Sequence, residues 1–239
     1  MAGDDAAVRG VTGAVTGPDG VPRCPWGLGP QIYTAYHDEE WGRPVRGEAA
    51  LFERLSLEAF QAGLSWLTIL RKREAFRVAF AGFDARVVAG FDVEDEARML
   101  ADAGIVRNRA KVSATIANAR AVIALAEPLS DLLWSFAPAE PGPAPRTPAE
   151  VPAVTPESTA MAKALRAKGF RFVGPTTAYA LMQATGMVND HLAGCAYRSA
   201  PAPARTPVPG WAAASDPGTP AALWPGTTGP PSGGPPWRR

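Results

Sequence analysis

The sequence has few of the side chains that most often bind metals or form cross-links: two cysteines and two histidines in 239 residues. Cys24 and Cys195 are too few for the disulfide framework of a small secreted domain. We therefore expect free thiols, or thiols bound to a metal, in a reducing cytoplasm.

Long apolar runs are also absent from the sequence. No stretch approaches the ~20 apolar residues of a membrane-spanning helix, and the N-terminus has early acidic residues and scattered glycines instead of a signal peptide's apolar segment. We therefore expect neither a membrane segment nor a signal peptide. The formal net charge is only +1, so any basic surface for nucleic acid must be local.

Composition divides the chain into three parts. We predict a disordered arm at 1–22, one folded domain at 23–198 and a disordered tail at 199–239, because the tail is rich in proline and lacks apolar periodicity. Strand signals are weak, so the folded part is predicted to be mainly α. Helices are expected at 48–63, 65–83, 92–103, 108–126, 128–134, 158–168 and 175–186, with a last one from residue 189.

The histidines and cysteines fall into two pairs. His191 and Cys195 are four residues apart and would share a face of the last predicted helix. Cys24 and His37 flank a loop rich in glycine and proline. Together they make a Cys₂His₂ set, the usual closed tetrahedral site of structural Zn²⁺. The alternative is that each is isolated, the histidines hydrogen-bonded and the cysteines small apolar residues.

Residues 100–112 place a glycine turn between two predicted helices, as in a helix–hairpin–helix. The amides around Gly104 would suit a phosphate, and Arg107 and Lys111 supply local positive charge. Val106 stands where that pattern usually has its second glycine. The alternative is an ordinary helix corner with solvated basic side chains.

Glu58 lies at the border of the apolar face of its predicted helix, and several aromatic residues surround it in the sequence. A flat ligand could lie between such rings while the carboxylate accepts hydrogen bonds from its edge. The alternative is a surface ion pair with Arg54, one turn earlier, and aromatic residues that only fill the core. The aromatic candidates are Tyr33, Tyr36, Trp41 and Trp66.

Five segments resemble, in order and spacing, the signatures of the DNA-3-methyladenine glycosylase I family: RCPWG, YTAYHDEEWG, LEAFQAGLSW, FVGPTTAYALMQATGMVNDH and HLAGC. The resemblance covers about residues 23–198. It implies a mainly α helix–hairpin–helix glycosylase fold that removes 3-methyladenine from alkylated double-stranded DNA. It implies a structural zinc held by Cys24, His37, His191 and Cys195, which joins the N- and C-terminal segments.

The resemblance also places Glu58 in a base pocket with Tyr36 and Trp66, lined further by Tyr33 and Trp41. Stacking on the rings would offset the cost of flipping the base, and a cationic methylated base would attract both ring faces and the Glu58 carboxylate. Alkylation makes the base a good leaving group without an acid.

Leu64, in the segment QAGLS, would fill the gap that the flipped base leaves in the duplex. The simpler interpretation is a helix break at Gly63. Two other functions stay open from the residues alone: a DNA-binding module that cleaves nothing, and a zinc hydrolase, which the four-ligand set disfavours. We expect a monomer.

Overall fold

The computed structural model describes residues 13–199, which are mainly α-helical. A short antiparallel pair of strands comes first, with β1 (Val15–Thr16) against β2 (Pro22–Arg23). The α-helices of the described residues are α1 (Gln31–Glu39), α2 (Glu48–Gln61), α3 (Trp66–Ala79), α4 (Ala85–Ala89), α5 (Val93–Ala101), α6 (Arg109–Ile123), α7 (Leu129–Trp134), α8 (Pro156–Ala167) and α9 (Pro175–Ala184). In residues 13–199 no helix is long and apolar enough to cross a membrane.

Polar side chains fix the starts of the central helices close to the predicted positions. Ser65 Oγ accepts a hydrogen bond from the Thr68 amide at the start of α3, and Asp92 forms a capping box with Asp95 at the start of α5. Asn108 accepts from the amide at the third position of α6. Each cap supplies an acceptor to an amide that has none within its own helix.

The predicted last helix is wrong. Residues 187–199 form turns, and no helix lies there. Asn189 Oδ1 accepts from the His191 amide, and the Arg198 guanidinium donates to the carbonyls of Asn189 and His191. These local bonds use the backbone groups that a helix would need.

Two further expectations about the N-terminal part need correction. The disordered arm does not extend over residues 13–22, because Val15 and Thr16 pair with β2. The interval between Cys24 and His37 is not only a loop, since α1 begins at Gln31, directly after Pro30. The rest of the expected arm, residues 1–12, and the expected tail from residue 200 lie outside the described residues.

Helix α2 runs through the centre of the core. Its residues from Leu51 to Phe60 are all buried, including three charged ones. Glu53 pairs with Arg77 at 2.8 Å, and Arg54 pairs with Glu40 at 2.6 Å. Two of the buried charges of α2 are therefore compensated by partners on other segments.

Gly186 ends α9 at a point where another part of the backbone comes very close. Its φ is +71°, and a Cβ there would lie 2.5 Å from the Arg43 carbonyl carbon. The same segment bonds to the end of α9, with Val45 N–H donating to Thr185 O at 3.1 Å. This packing brings the segment after α1 against the start of the loop that carries His191.

We expect Gly186→Ala to lower the free energy of unfolding by about 2–4 kcal/mol, because it adds left-handed strain and a backbone clash. Urea denaturation measures this change. Gly20→Ala is the matched control: its φ is +78°, but nothing lies within 4 Å of a Cβ there, so only the strain of about 1 kcal/mol applies. Equal losses in the two variants would contradict the close approach at Gly186.

Candidate functional site

A cavity of about 350 Å³ lies beside α2, within the size range of small-ligand pockets. Helices α1 and α2, the first residue of α3 and the turn after α1 form its aromatic and acidic part. This part contains every residue proposed from the sequence for base binding or catalysis: Tyr33, Tyr36, Trp41, Glu58 and Trp66.

The aromatic rings meet at angles and do not stack face to face. Tyr36 and Trp66 have ring centroids 5.2 Å apart, tilted by 51°. Trp26 packs edge-on against Trp41 at 4.9 Å and against Tyr33 at 5.8 Å. Such edge contacts are a favourable packing of aromatic rings, so the walls support one another without a ligand.

Glu58 lies in the last turns of α2 and is only 6% exposed. Burial raises the pKa of its carboxyl to about 8, and the charge of Arg54 only partly opposes this effect. The alternative of a surface pair with Arg54 is wrong, because the Arg54 guanidinium is buried and bonds to Glu40. Burial therefore favours the protonated form of Glu58 over the expected carboxylate.

Sequence reasoning missed several residues of the cavity wall. Asp190 lines the cavity, and its Oδ2 accepts from Tyr179 at 2.6 Å and from Gln183 at 2.8 Å. Pro148 and Val151, from the segment between α7 and α8, also line it. Only Asp190 had a local signal, a carboxylate beside a candidate metal ligand.

The four candidate metal ligands converge, although His191 and Cys195 do not lie on the expected last helix. All four are buried, and their donor atoms lie within 4.8 Å of one another. Cys195 Sγ lies 3.5 Å from His191 Nδ1 and 3.6 Å from His37 Nε2, and Cys24 Sγ lies 3.7 Å from His191 Nδ1. Tetrahedral ligands at zinc bond lengths stand about 3.6 Å apart for a sulfur and a nitrogen.

Neighbouring groups orient these ligands. Asp38 Oδ1 lies 2.7 Å from His37 Nδ1, which leaves Nε2 facing the group. The Trp41 carbonyl lies 3.1 Å from His191 Nε2, which leaves Nδ1 facing it. Carboxylates and carbonyls hold metal-bound imidazoles in this way. The residues therefore suit a bound metal ion.

Leu64 lies at the tip of the turn between α2 and α3. It is 41% exposed, and Gly63 before it has a φ of +81°. The helices on either side carry Glu58 and Trp66, so an exposed apolar side chain stands next to the cavity.

The turn between α5 and α6 differs in detail from the expected phosphate site. The Gly104 amide already donates to Asp102 Oδ1 at 2.7 Å. Glycine is needed here because a Cβ would lie 2.9 Å from Ala75 Cβ on α3. Arg107 is exposed in the turn.

Lys111 does not face solvent beside Arg107. It is 7% exposed, and its Nζ donates to Phe60 O at 2.8 Å and to Ala62 O at 2.6 Å. The last carbonyls of a helix lack partners within it and attract cations, which explains why the ammonium turns toward the end of α2. The structure contradicts a phosphate contact by this side chain.

The chain matches the Methyladenine glycosylase family over residues 26–199. It belongs to this family. It is 47% identical over 177 residues to DNA-3-methyladenine glycosylase 1 of Escherichia coli K12, and the aligned region covers 72% of this chain and 95% of that protein. The family and the enzyme class expected from the sequence are confirmed.

Two solved structures of methyladenine glycosylases are similar to the chain. A crystal structure of 3-methyladenine DNA glycosylase I has a TM-score of 0.70 and 46% identity, and covers 72% of this chain and 97% of that one. A phenylalanine-for-tyrosine variant of 3-methyladenine DNA glycosylase I, in complex with 3-methyladenine, has a TM-score of 0.71 and 32% identity, and covers 74% of this chain and 98% of that one.

Proposed function

We propose that this enzyme hydrolyses the N-glycosidic bond of 3-methyladenine in alkylated double-stranded DNA. The observation that carries the proposal is the buried Glu58 in a cavity whose walls include Tyr36 and Trp66. This cavity suits a single flat base, and the family relationship supplies the reaction class.

The base must leave the duplex stack to enter the cavity, at a cost of a few kcal/mol. Aromatic stacking contributes about 1–3 kcal/mol per base. A base methylated at N3 is cationic, so ring faces attract it and its charge favours the ionised form of Glu58. Neutral adenine lacks that charge and gains less.

Bond cleavage transfers the bonding electrons to the base, which becomes neutral as positive charge develops on the sugar. Water then adds to the sugar carbon and loses a proton. A pocket that only stabilised the cationic base would hold the ground state too strongly. We therefore assign Glu58 chiefly to recognition of the cationic base, through charge-assisted hydrogen bonds to its edge.

We infer that Cys24, His37, His191 and Cys195 bind a structural Zn²⁺. The donor set and the Sγ-to-nitrogen separations support this metal, and four protein ligands leave no position for a reactive water. When bound, the ion would tie the segment before α1 to the loop after α9. The free cysteines agree with a reducing cytoplasm.

We infer that α5, the turn at residues 102–108 and α6 act as a helix–hairpin–helix that binds the DNA backbone of one duplex, with the protein as a monomer. Arg107 is exposed there and supplies positive charge. Leu64 is proposed to enter the duplex where the base has left.

The function is tested by incubating the protein with methylated duplex DNA and measuring free 3-methyladenine by chromatography. We expect release by the wild type and, in Trp66→Ala, a loss of about 10-fold or more, because one stacking face is gone. Duplex binding without release of any base would instead indicate a DNA-binding module.

A further inference from the structure

Two lysines connect the turn at residues 102–108 with the segment at residues 60–65 that leads to Leu64. Lys111 belongs to the first turn of α6 and bonds to the end of α2. Lys72 belongs to α3 and bonds to the turn itself, with Nζ 2.8 Å from Ala103 O and 3.3 Å from Gly104 O. Helix α6, which follows the turn, therefore bonds through Lys111 to the end of α2, and α3, which follows the segment, bonds through Lys72 to the turn.

The buried Lys111 ammonium makes two hydrogen bonds to main-chain carbonyls. An ammonium has three donors, and two of them are used by carbonyls on either side of Gln61, a residue of the cavity wall. No carboxylate pairs with Lys111 among residues 13–199. Burial lowers the pKa of Lys111, and the two carbonyl acceptors oppose this effect by hydrogen bonding to the charged form.

The backbone of Lys111 is fixed as well. Its amide donates to Asn108 Oδ1 at 3.1 Å, which caps α6 directly after the turn. Lys111 thus donates to the cap of α6 through its main chain and to the last carbonyls of α2 through its side chain. Ala62, two residues before Leu64, is thereby linked through Lys111 to the start of α6.

The Lys72 contact lies on the other side of the same segment. Its helix begins with Trp66, so α3 is held to the turn while its first residue lines the cavity. Segment 62–65 is consequently held to the turn from both flanks, through α2 and through α3.

We propose that Lys111 and Lys72 are positioning residues that join DNA-backbone binding at the turn to insertion of Leu64 into the duplex. The inference rests on the proposed function. Neither lysine lines the cavity. Their effect is to fix the distance between a backbone contact and the inserted side chain, and a displacement of about 1 Å can reduce a rate by 10²-fold.

The test is a double-mutant cycle in the complete protein. We expect Lys111→Met and Leu64→Ala each to lower kcat/KM for release of 3-methyladenine from methylated duplex DNA by roughly 10-fold or more. Both changes remove the same insertion. The kcat/KM of the double variant should therefore lie within about twofold of that of the less active single variant. Affinity for free 3-methyladenine, measured by calorimetry, should change less than about twofold in Lys111→Met.

Lys163→Met is the matched control, because it removes an exposed lysine from α8 and should leave kcat/KM unchanged. If Lys111→Met does not fold, Lys72→Met takes its place in the same cycle. If the wild type is active, either of two results would overturn the inference. One is a kcat/KM loss in the double variant equal to the product of the two single losses, and the other is loss of free-base binding in Lys111→Met. Absence of release by the wild type would overturn the proposed function and this inference with it.

Discussion

Replacing Glu58 by glutamine is expected to lower kcat/KM for 3-methyladenine release from duplex DNA by about 10²-fold. Glutamine keeps the size of the side chain but cannot become an anion. The cavity would then face a cationic base without a compensating charge. Single-turnover release from methylated duplex DNA measures the effect, after subtraction of spontaneous base loss.

The pH dependence of the same reaction separates a charge effect from a packing effect. Burial raises the pKa of Glu58 to about 8 in the empty cavity, so a cationic base must bind as the carboxyl loses its proton. We expect wild-type kcat/KM to rise from pH 6 toward pH 8 and to level above it. A flat wild-type profile, or the same rise in Glu58→Gln, would contradict this role.

Stability should change with pH in the opposite direction. The folded-state pKa of about 8 lies above the ordinary value of 4.5 for a glutamate carboxyl, so the native state binds the proton more tightly than the unfolded chain. The stabilisation from this group is fully present below pH 4.5 and is lost as the pH rises toward 8, by at most about 1.4 kcal/mol per pH unit. Glu58→Gln should remove this contribution from urea unfolding curves.

Removal of the proposed metal is expected to have the second large effect, a loss of unfolding free energy on the order of 5 kcal/mol or more. Structural zinc contributes roughly 10–16 kcal/mol in small peptides, and whole domains are stable by about 5–15 kcal/mol. The ligands join residues 24 and 37 to residues 191 and 195. We therefore expect hydrogen exchange to accelerate first at both ends of the domain.

Elemental analysis should find one zinc per chain in the wild type, and Cys195→Ser should lose both the zinc and the thermal stability. Trp66→Ala is the control, because it changes the cavity but leaves the four ligands intact. Metal-free protein with an unchanged melting temperature would exclude the structural metal. Loss of activity on chelation with an intact fold would indicate a catalytic metal.

Several features could be predicted because they depend on local sequence. Asn108 and Asp92 cap helices where they were expected, since a side chain next to an amide that lacks an acceptor needs no distant partner. The four residues of the metal group could also be predicted, because the chain has only two histidines and two cysteines.

Other features followed only from the packing of distant segments. His191 and Cys195 come together in turns, where local hydrogen bonds outcompete the helix that their spacing suggested. Lys111 looked like a solvent-facing cation in the sequence, yet the carbonyls at the end of α2, about 50 residues away, attract it inward. Pro148 and Val151, between α7 and α8, contribute to the cavity wall, which no local pattern indicated.

The sequence by itself determined which side chains were available: Glu58 with several aromatic residues near it in the chain, and a single Cys₂His₂ set. Only the tertiary structure decided their chemical state, because the pKa of Glu58 depends on the segments that exclude water from α2. It also decided the geometry of the metal group, since Cys24 and His191 meet across 167 positions of the chain. Long-range packing sets both, and local sequence contains no information on either.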